Sequence, residues 1–148
     1  MQLGERLLSE ANRRQRDLDR SDYHHLAAFR RVLRQFLAFS ESAARAAGLS
    51  PQQHQALLAI KGRDGSAPTI GDVAGDLAIR HNSMVGLADR LERGGLLRRQ
   101  SDPKDGRRVV LALTSDAEKL LAQLTAAHRE ELRRLTPVLK LLLAEIGD

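Results

Sequence analysis

The strongest constraint on the fold is a pair of strand-like runs that enclose one polar, turn-forming loop. The runs are Leu96–Gln100, which begins with two leucines, and Val109–Leu113, which is apolar throughout. The loop between them, Ser101–Arg108, contains the Asp, Pro and Gly residues that suit a turn. This arrangement predicts a β-hairpin with a basic tip.

Two short helical segments precede this hairpin. Thr69 can cap the first segment, which has apolar residues at helical spacing: Ile70, Val73, Ala74 and Leu77. The second runs from about Asn82 to Arg93 and ends at Gly94-Gly95, a pair suited to a left-handed helix end. Its expected buried face is Met84, Leu87 or Ala88, and Leu91. Two short helices joined by a tight turn are typical of a helix-turn-helix.

Longer helices are expected before this motif. An amphipathic N-terminal segment carries apolar residues at Leu3, Leu7, Leu8, Ala11 and Leu18. A longer helix follows Ser21 and stops at Gly48, with the expected buried stripe Leu26, Phe29, Val32 or Leu33, Phe36 and Leu37. Ser50 then begins a further helix, because Pro51 and Gln53 complete a capping-box pattern.

The C-terminal part of the sequence also has helical periodicity. Thr114, or Ser115 with Glu118 three residues on, is expected to cap a long helix. We expect Thr136-Pro137 to interrupt the pattern, because proline breaks a helix interior. A last helix then carries apolar residues at spacings of 4, 3 and 4: Leu135, Leu139, Leu142 and Ile146. Such a seam is typical of helices that pack on one another.

Composition limits the remaining classes of protein. The 148 residues are 42% hydrophobic and 3% aromatic, which favours a single, mainly helical domain over residues 1–148. Without cysteine, thiol catalysis, disulfides and thiolate metal sites are excluded. No apolar run is long enough to span a bilayer and the first twenty residues are highly charged, so we expect a cytoplasmic protein without membrane association.

Positive charge is concentrated around the predicted motif. Residues 79–108 contain eight Lys or Arg against four Asp or Glu, a surplus of four out of a net charge of +5 for the whole chain. A basic surface of this kind is compatible with nucleic-acid binding, although a basic cluster taken alone is more often an ordinary solvated surface.

The local residues resemble the MarR family of winged helix-turn-helix transcriptional regulators. Residues 69–77 are similar to the first helix of that family's motif, and Leu87–Leu97 to its LVDRLE..GLV stretch. The sequence DPKDGRR at 102–108, followed by Leu-Ala-Leu-Thr at 111–114, is similar to the family's DPxDxR...L.LT wing. The resemblance is close over residues 69–114. One departure is Ala78, at a position where the family's turn often has glycine.

The resemblance implies a mainly α fold with a minor α+β character. The expected architecture is a winged helix-turn-helix core over about 50–114 with a small β-hairpin wing. Long terminal dimerisation helices over about 2–47 and 115–147 would flank it.

Within that geometry, the second helix of the motif would enter the DNA major groove. The residues expected to contact bases are Arg80, His81, Asn82, Ser83, Val85 and Gly86, with Arg90 and Arg93 gripping phosphates. Two alternatives stay open. Asn82 and Ser83 can be first-turn capping residues, and Arg90 or Arg93 can pair with Asp89 or Glu92 along the helix.

The hairpin tip would reach a minor groove, where negative potential attracts a guanidinium group. The resemblance implies that Arg107 makes this contact and that Asp105, two residues earlier, orients it. Lys104 and Arg108 would add phosphate contacts.

The expected partners are double-stranded DNA, a second copy of the chain and a small phenolic or anionic effector. The resemblance places an effector cleft near segments that carry Tyr23, His24, His25, Phe29 and His54, although packing or surface roles are more common for such residues. No cofactor is expected, and a metal site is disfavoured because no HxxxH pair occurs.

We therefore predict a homodimeric, sequence-specific transcription regulator, a repressor that an effector releases from a pseudo-palindromic operator. The alternative is a winged-helix module for protein contact without sequence-specific DNA binding. An enzyme is disfavoured, because the chain has no GxSxG, P-loop, Rossmann or HExxH motif.

Overall fold

The computed structural model describes residues 2–12 and 18–146, and these form helices with one antiparallel hairpin. The elements in chain order are α1 (Gln2–Ala11), α2 (Arg20–Ala46), α3 (Pro51–Lys61), α4 (Ile70–Leu77), α5 (His81–Arg93), β1 (Leu97–Ser101), β2 (Val109–Leu113) and α6 (Ser115–Ile146). They group into two compact units. The winged unit comprises residues 37–131, and the terminal unit comprises the described parts of 1–36 and 132–148. The predicted mainly α fold with a small hairpin is confirmed.

The winged unit is organised around one apolar core. Helices α3, α4 and α5, strands β1 and β2 and the winged-unit parts of α2 and α6 all contribute buried side chains to it. The largest fully buried members of this core are Leu57, Val73, Met84, Leu87, Leu91, Leu97 and Leu111. Both Leu87 and Ala88 are buried, so the two alternatives for the inner face of α5 are both correct.

Side-chain caps begin α3, α4 and α6 where the sequence predicts them. The Ser50 hydroxyl accepts from the Gln53 N–H at 3.1 Å, and the Gln53 side chain accepts in return from the Ser50 N–H at 2.8 Å. Thr69 forms the same reciprocal box with Asp72 at the start of α4. Of the two candidates for α6, Thr114 is the cap, because its hydroxyl accepts from the Ala117 N–H at 3.2 Å. Satisfying these end donors stabilises each helix.

The hairpin pairs Leu97 with Leu113 and Ser101 with Val109, one residue later in β1 than the predicted strand. Leu97 and Leu111 point into the core, whereas Arg98 and Val109 are exposed. The Leu111 N–H also donates to the Pro68 carbonyl at 2.8 Å. The hairpin is therefore fixed to the segment that leads into α4.

The terminal unit has a smaller core. Val32, Leu135 and Leu142 are buried, and Ala28, Phe29, Phe36 and Leu139 pack partly buried against them. The predicted stripe of α2 is partly wrong, since Leu26 and Leu37 are more than half exposed. Val32 and not Leu33 is the inward residue of that pair. Part of the predicted N-terminal segment, residues 13–17, lies outside the described residues. The side chain of Ile146, the last residue of the predicted apolar seam, also lies outside them.

The predicted break at Thr136-Pro137 is wrong, because α6 continues from Ser115 to Ile146 with Pro137 inside it. Proline cannot donate an N–H to the preceding turn, and this loss normally costs about 3 kcal/mol in a helix interior. Packing of Leu135, Leu139 and Leu142 in the terminal unit favours the helix on both sides of the proline. The Thr136 hydroxyl also donates to the Leu132 carbonyl at 2.7 Å. No described helix is both long and apolar enough to cross a membrane.

Candidate nucleic-acid interface

Helix α5 turns one face into the core and the other outward. Met84, Leu87 and Leu91 are fully buried, which fixes the rotation of the helix about its axis. The first turn then presents His81, Asn82 and Ser83 to solvent, while Val85 and Gly86 are half-buried. A helix end held in this way offers polar side chains in fixed positions, as contact with base edges requires.

Arg80 is the N-cap residue of α5 and makes no side-chain capping hydrogen bond. Its side chain is exposed and precedes the helix, whereas the sequence predicts a start near Asn82. Asn82 and Ser83 therefore occupy the first turn and not the cap position.

The acidic residues of α5 are bound by a strand arginine. Arg99 of β1 donates to Asp89 at 2.7 Å and to Glu92 at 3.3 Å. The hydrogen bond with Asp89 is the main cause that raises the pKa of Arg99 above its usual range. The alternative pairing of Arg90 or Arg93 with these carboxylates is absent, and Arg93 instead donates to the Asp89 carbonyl at 3.4 Å.

Arg90 lies one turn after Gly86 on α5. Its Nη1 atom is 3.6 Å from the position that a Cβ atom would take on Gly86, so the guanidinium folds back over that glycine. The Arg90 side chain is exposed. This places the Arg90 cation over Gly86 in the second turn of α5.

The wing tip is held by carboxylates that accept from backbone amides. Asp102 Oδ1 accepts from the Lys104 N–H at 2.9 Å, and Asp105 Oδ1 accepts from the Arg107 N–H at 3.1 Å. Asp105 thus contacts the arginine that the resemblance assigned to it, through the backbone. The side chains of Lys104 and Arg107 are exposed. Such Asx-type hydrogen bonds stabilise a turn without using its cationic side chains.

Arg108 contacts two carboxylates of the winged unit. Its Nη2 atom is 3.1 Å from Asp72 Oδ2 in α4, and its Nε atom is 4.0 Å from Asp102 Oδ2. Asp72 also lies 3.8 Å from Arg63. The Thr69 N–H hydrogen bond is the main cause that lowers the pKa of Asp72, and the positive charges of Arg63 and Arg108 add to it.

Three charged residues of this surface were missed by sequence reasoning: Arg63, Asp72 and Arg99. The spacing Thr69-x-x-Asp72 is a capping-box signal that was available for Asp72. Nothing local to Arg63 or Arg99 indicates its partner, because each ion pair depends on tertiary packing.

The residues expected near an effector cleft fall into both units. Tyr23, His24, His25 and Phe29 belong to the terminal unit, where Tyr23 and His24 are exposed and His25 lies 4.0 Å from Glu145. His54 belongs to the winged unit and is buried. Among the residues that the structure describes, no group of three His, Asp or Glu could hold a metal ion.

A helix-turn-helix followed at once by a hairpin, with cations on the second helix and the hairpin tip, defines a winged helix-turn-helix protein. Residues 47–108 match the model of the MarR family. The resemblance to the MarR family that was inferred from residues 69–114 is confirmed over this matched segment.

The chain is also similar to individual known proteins. YcgE of Bacillus subtilis (strain 168), described as an uncharacterized HTH-type transcriptional regulator, is 29% identical over 96 residues. That match spans 65% of this chain and 61% of YcgE, which is less than two thirds of the relative's length.

Two solved structures show the same fold. MepR of S. aureus in complex with DNA has a TM-score of 0.62 at 21% identity, covering 82% of this chain and 85% of MepR. CouR from Rhodococcus jostii RHA1, bound to p-coumaroyl-CoA, has a TM-score of 0.64 at 23% identity, covering 78% of this chain and 84% of CouR.

Proposed function

We propose that this chain is a transcription regulator that binds duplex DNA sequence-specifically through α5 and the wing. The observation that carries this proposal is the distribution of charge between residues 80 and 108. The carboxylates of Asp89, Glu92, Asp102 and Asp105 accept hydrogen bonds from partners within the winged unit. Six exposed cations of the same segment form no ion pair with another described residue: Arg80, Arg90, Arg93, Arg98, Lys104 and Arg107. This surplus of positive charge suits a phosphate backbone.

Roles follow from the positions of these residues. The first turn of α5, with Asn82 and Ser83, would contact base edges in the major groove. Arg80, Arg90 and Lys104 would contact phosphates, and Arg107 at the wing tip would enter a minor groove. The structure of MepR bound to DNA supports this class of ligand for the shared fold.

The proposed active form is a homodimer. The terminal unit leaves large apolar side chains exposed on α6, among them Val138, Leu141 and Leu143. A second copy would cover such a surface, and twofold symmetry would present two winged units to half-sites about 34–36 Å apart. We therefore expect a pseudo-palindromic operator.

The proposed regulation is repression released by a small molecule, in the cytoplasm. The winged unit contains an open groove of about 410 Å³ between α3 and α6, with a mostly apolar lining that includes Leu58, Leu121 and Thr125. Arg129 also lines it, as does the Lys61–Glu118 ion pair. An apolar groove with a cation suits an anionic molecule with an apolar body. The CouR complex with p-coumaroyl-CoA supports this class of effector.

The first test is selection of a random duplex library on the purified protein at about 150 mM salt, followed by titration of the selected sequence against scrambled DNA. We expect an inverted repeat with half-sites one helical turn apart. Affinity for it should fall by orders of magnitude between about 50 and 200 mM salt. Salt-insensitive association with proteins and no enriched sequence would instead favour a protein-contact module.

Variants then separate the roles within the interface. Arg107→Ala should weaken DNA binding with unchanged thermal stability, whereas Lys119→Ala, which removes an exposed cation from α6, should change neither. Asn82→Ala should cost about 1–3 kcal/mol on the selected sequence and little on scrambled DNA. An equal loss on both sequences would overturn the base-contact role.

A further inference from the structure

Five charged side chains of alternating sign connect the α3–α4 loop, helix α4 and the wing. Asp76 bonds Arg63 at 2.6 Å, and Arg63 lies 3.8 Å from Asp72. Asp72 bonds Arg108 at 3.1 Å, and Arg108 lies 4.0 Å from Asp102. Asp72 is the central member and the one that joins the wing to α4.

Asp72 is held more firmly than a typical surface carboxylate. Its Oδ2 atom accepts from the Thr69 N–H at 2.9 Å, and its own N–H donates to the Thr69 hydroxyl at 3.2 Å. The residue is only partly exposed and sits in the first turn of α4, whose Val73 and Ala74 are buried. Because the same Oδ2 atom accepts from Arg108, the wing is attached to a helix end that does not move independently of the core.

The wing loop has few other attachments. Within residues 102–108, Asp102 and Asp105 make hydrogen bonds to amides of the loop itself. The Asp102 N–H donates to the Arg108 carbonyl at 2.8 Å, which closes the loop at its base. These bonds set the shape of the loop. The Leu111–Pro68 hydrogen bond attaches the base of the hairpin near α4, and the Asp72–Arg108 ion pair connects the loop itself to α4.

We propose that Asp72 is a positioning residue for DNA binding, which holds the wing through Arg108 so that the adjacent Arg107 is presented to the minor groove. This inference rests on the proposed function. It assigns Arg108 to an internal clamp in place of a simple phosphate contact, and it gives an acidic residue a favourable role in binding a polyanion.

The direction in which Asp72→Asn changes DNA affinity tests the proposed clamp, the Asp72–Arg108 ion pair. Asp72→Asn removes a negative charge near the DNA, so electrostatics alone predicts tighter binding. Asparagine keeps an acceptor for the Thr69 N–H but loses the ion pair with Arg108. The clamp therefore predicts weaker binding, by about fivefold, which is a modest coupling between interacting residues.

Asp76→Asn is the matched control. It removes the same charge from the same helix and breaks an ion pair with Arg63, but it makes no contact with the wing. We expect its DNA affinity to be unchanged or slightly tighter. Arg108→Gln should weaken binding like Asp72→Asn, and the double variant should lose no more than either single variant, because both remove one interaction.

A measurement without DNA separates the clamp from the proposed function. The ¹⁵N heteronuclear NOE of the amides at Lys104 and Arg107 reports picosecond-to-nanosecond motion of the wing. It should fall in Asp72→Asn and Arg108→Gln and stay at the wild-type value in Asp76→Asn. A lower thermal midpoint of Asp72→Asn would reflect the helix cap, and Arg108→Gln, which leaves the cap intact, then decides the question.

The outcomes are distinct. Tighter DNA binding by Asp72→Asn, additive losses in the double variant or an unchanged wing NOE would each overturn the clamp. A wild-type protein that selects no sequence would overturn the proposed function, and the wing NOE would still decide whether Asp72 orders the wing.

Discussion

The two units of this chain differ in how completely they bury their apolar side chains. In the winged unit, sixteen apolar residues form one buried cluster. In the terminal unit the described cluster has three buried members, Val32, Leu135 and Leu142. Among the described residues, the large apolar side chains left exposed show the opposite distribution, with eleven in the terminal unit and three in the winged unit.

This difference indicates where each unit obtains its stability. The winged unit closes its core with residues of its own, so its folding depends on internal packing. The terminal unit leaves apolar area in water, and covering that area would release about 25 cal/mol per Å². We propose that a second copy of the chain covers this area. The stability of the terminal unit should therefore depend on protein concentration.

The largest expected effect is a cavity in the winged core. Leu91 is fully buried, and Leu91→Ala should lower the free energy of unfolding by about 2–5 kcal/mol. Leu58→Ala, at a side chain that is 44% exposed in the same unit, is the control and should change it far less. Chemical denaturation at one protein concentration measures both. Equal losses would contradict a closed core.

A second test removes apolar surface from the terminal unit. Leu141 and Leu143 are 64% and 56% exposed, and replacing both with glutamine removes apolar contacts that a second copy would make. We expect dimer dissociation to become easier by a factor of about ten or more, measured by sedimentation equilibrium. Lys140→Gln, a polar change on the same helix, should leave the dissociation constant unchanged. A monomeric wild-type protein would contradict the homodimer.

A third test compares how histidines of the two units contribute to the pH dependence of stability. His54 is buried in the winged unit, its ring 4.9 Å from that of His128, which in turn lies within hydrogen-bond distance of Ser40 and the Leu124 carbonyl. Burial, and secondly the charge of His128, lower the pKa of His54. As pH falls below about 6.5, the unfolded chain therefore takes up a proton before the folded one does, and stability declines.

His54→Phe should reduce that decline, because phenylalanine does not titrate. His24→Gln, at an exposed histidine of the terminal unit, should leave it unchanged. Unfolding free energies measured between about pH 7.5 and 5.5 decide the matter. A pH dependence that is the same in His54→Phe and wild type would show that His54 is not its source.

The fold was predictable where local signals and packing agree. The caps at Ser50 and Thr69, the glycine pair after α5 and the hairpin loop all have local chemistry that specifies the structure formed. Pro137 shows the limit of such signals, because side chains distant in sequence determine whether a helix continues through a proline. The exposed Leu26 on α2 shows another limit, since an apolar stripe does not state whether its partner is in the same chain.

The sequence predicts which residues of the candidate site are exposed, but it does not predict the ion pairs between them. The exposed residues of α5 and the wing follow from helical rotation and loop position. The ion pairs Asp89–Arg99 and Asp72–Arg108 join residues 10 and 36 positions apart, and no local pattern specifies either. These pairs determine which cations stay available for DNA.

The smallest expected effect concerns the backbone of the winged unit at two turns. Ala78 ends α4 in the left-handed region with φ 54° and ψ 41°, and Gly95 follows α5 with φ 73°. An L side chain in this region costs about 1–2 kcal/mol, and glycine costs about 0.4–1 kcal/mol through the entropy of the unfolded chain. Ala78→Gly should therefore stabilise the protein by about 0.5–1 kcal/mol, and Gly95→Ala should destabilise it by a similar amount.

No other group comes within 4 Å of the Cβ position at Gly95, so the effect of Gly95→Ala comes from the backbone conformation. Each substitution is therefore a control for the other. Thermal and chemical unfolding of both variants should give shifts of opposite sign and unchanged dimer dissociation, since both turns lie in the winged unit. If Ala78→Gly instead destabilises the protein, the methyl group of Ala78 contributes packing that outweighs the cost of its backbone conformation. The closed character of the winged unit would then extend to the turn between α4 and α5.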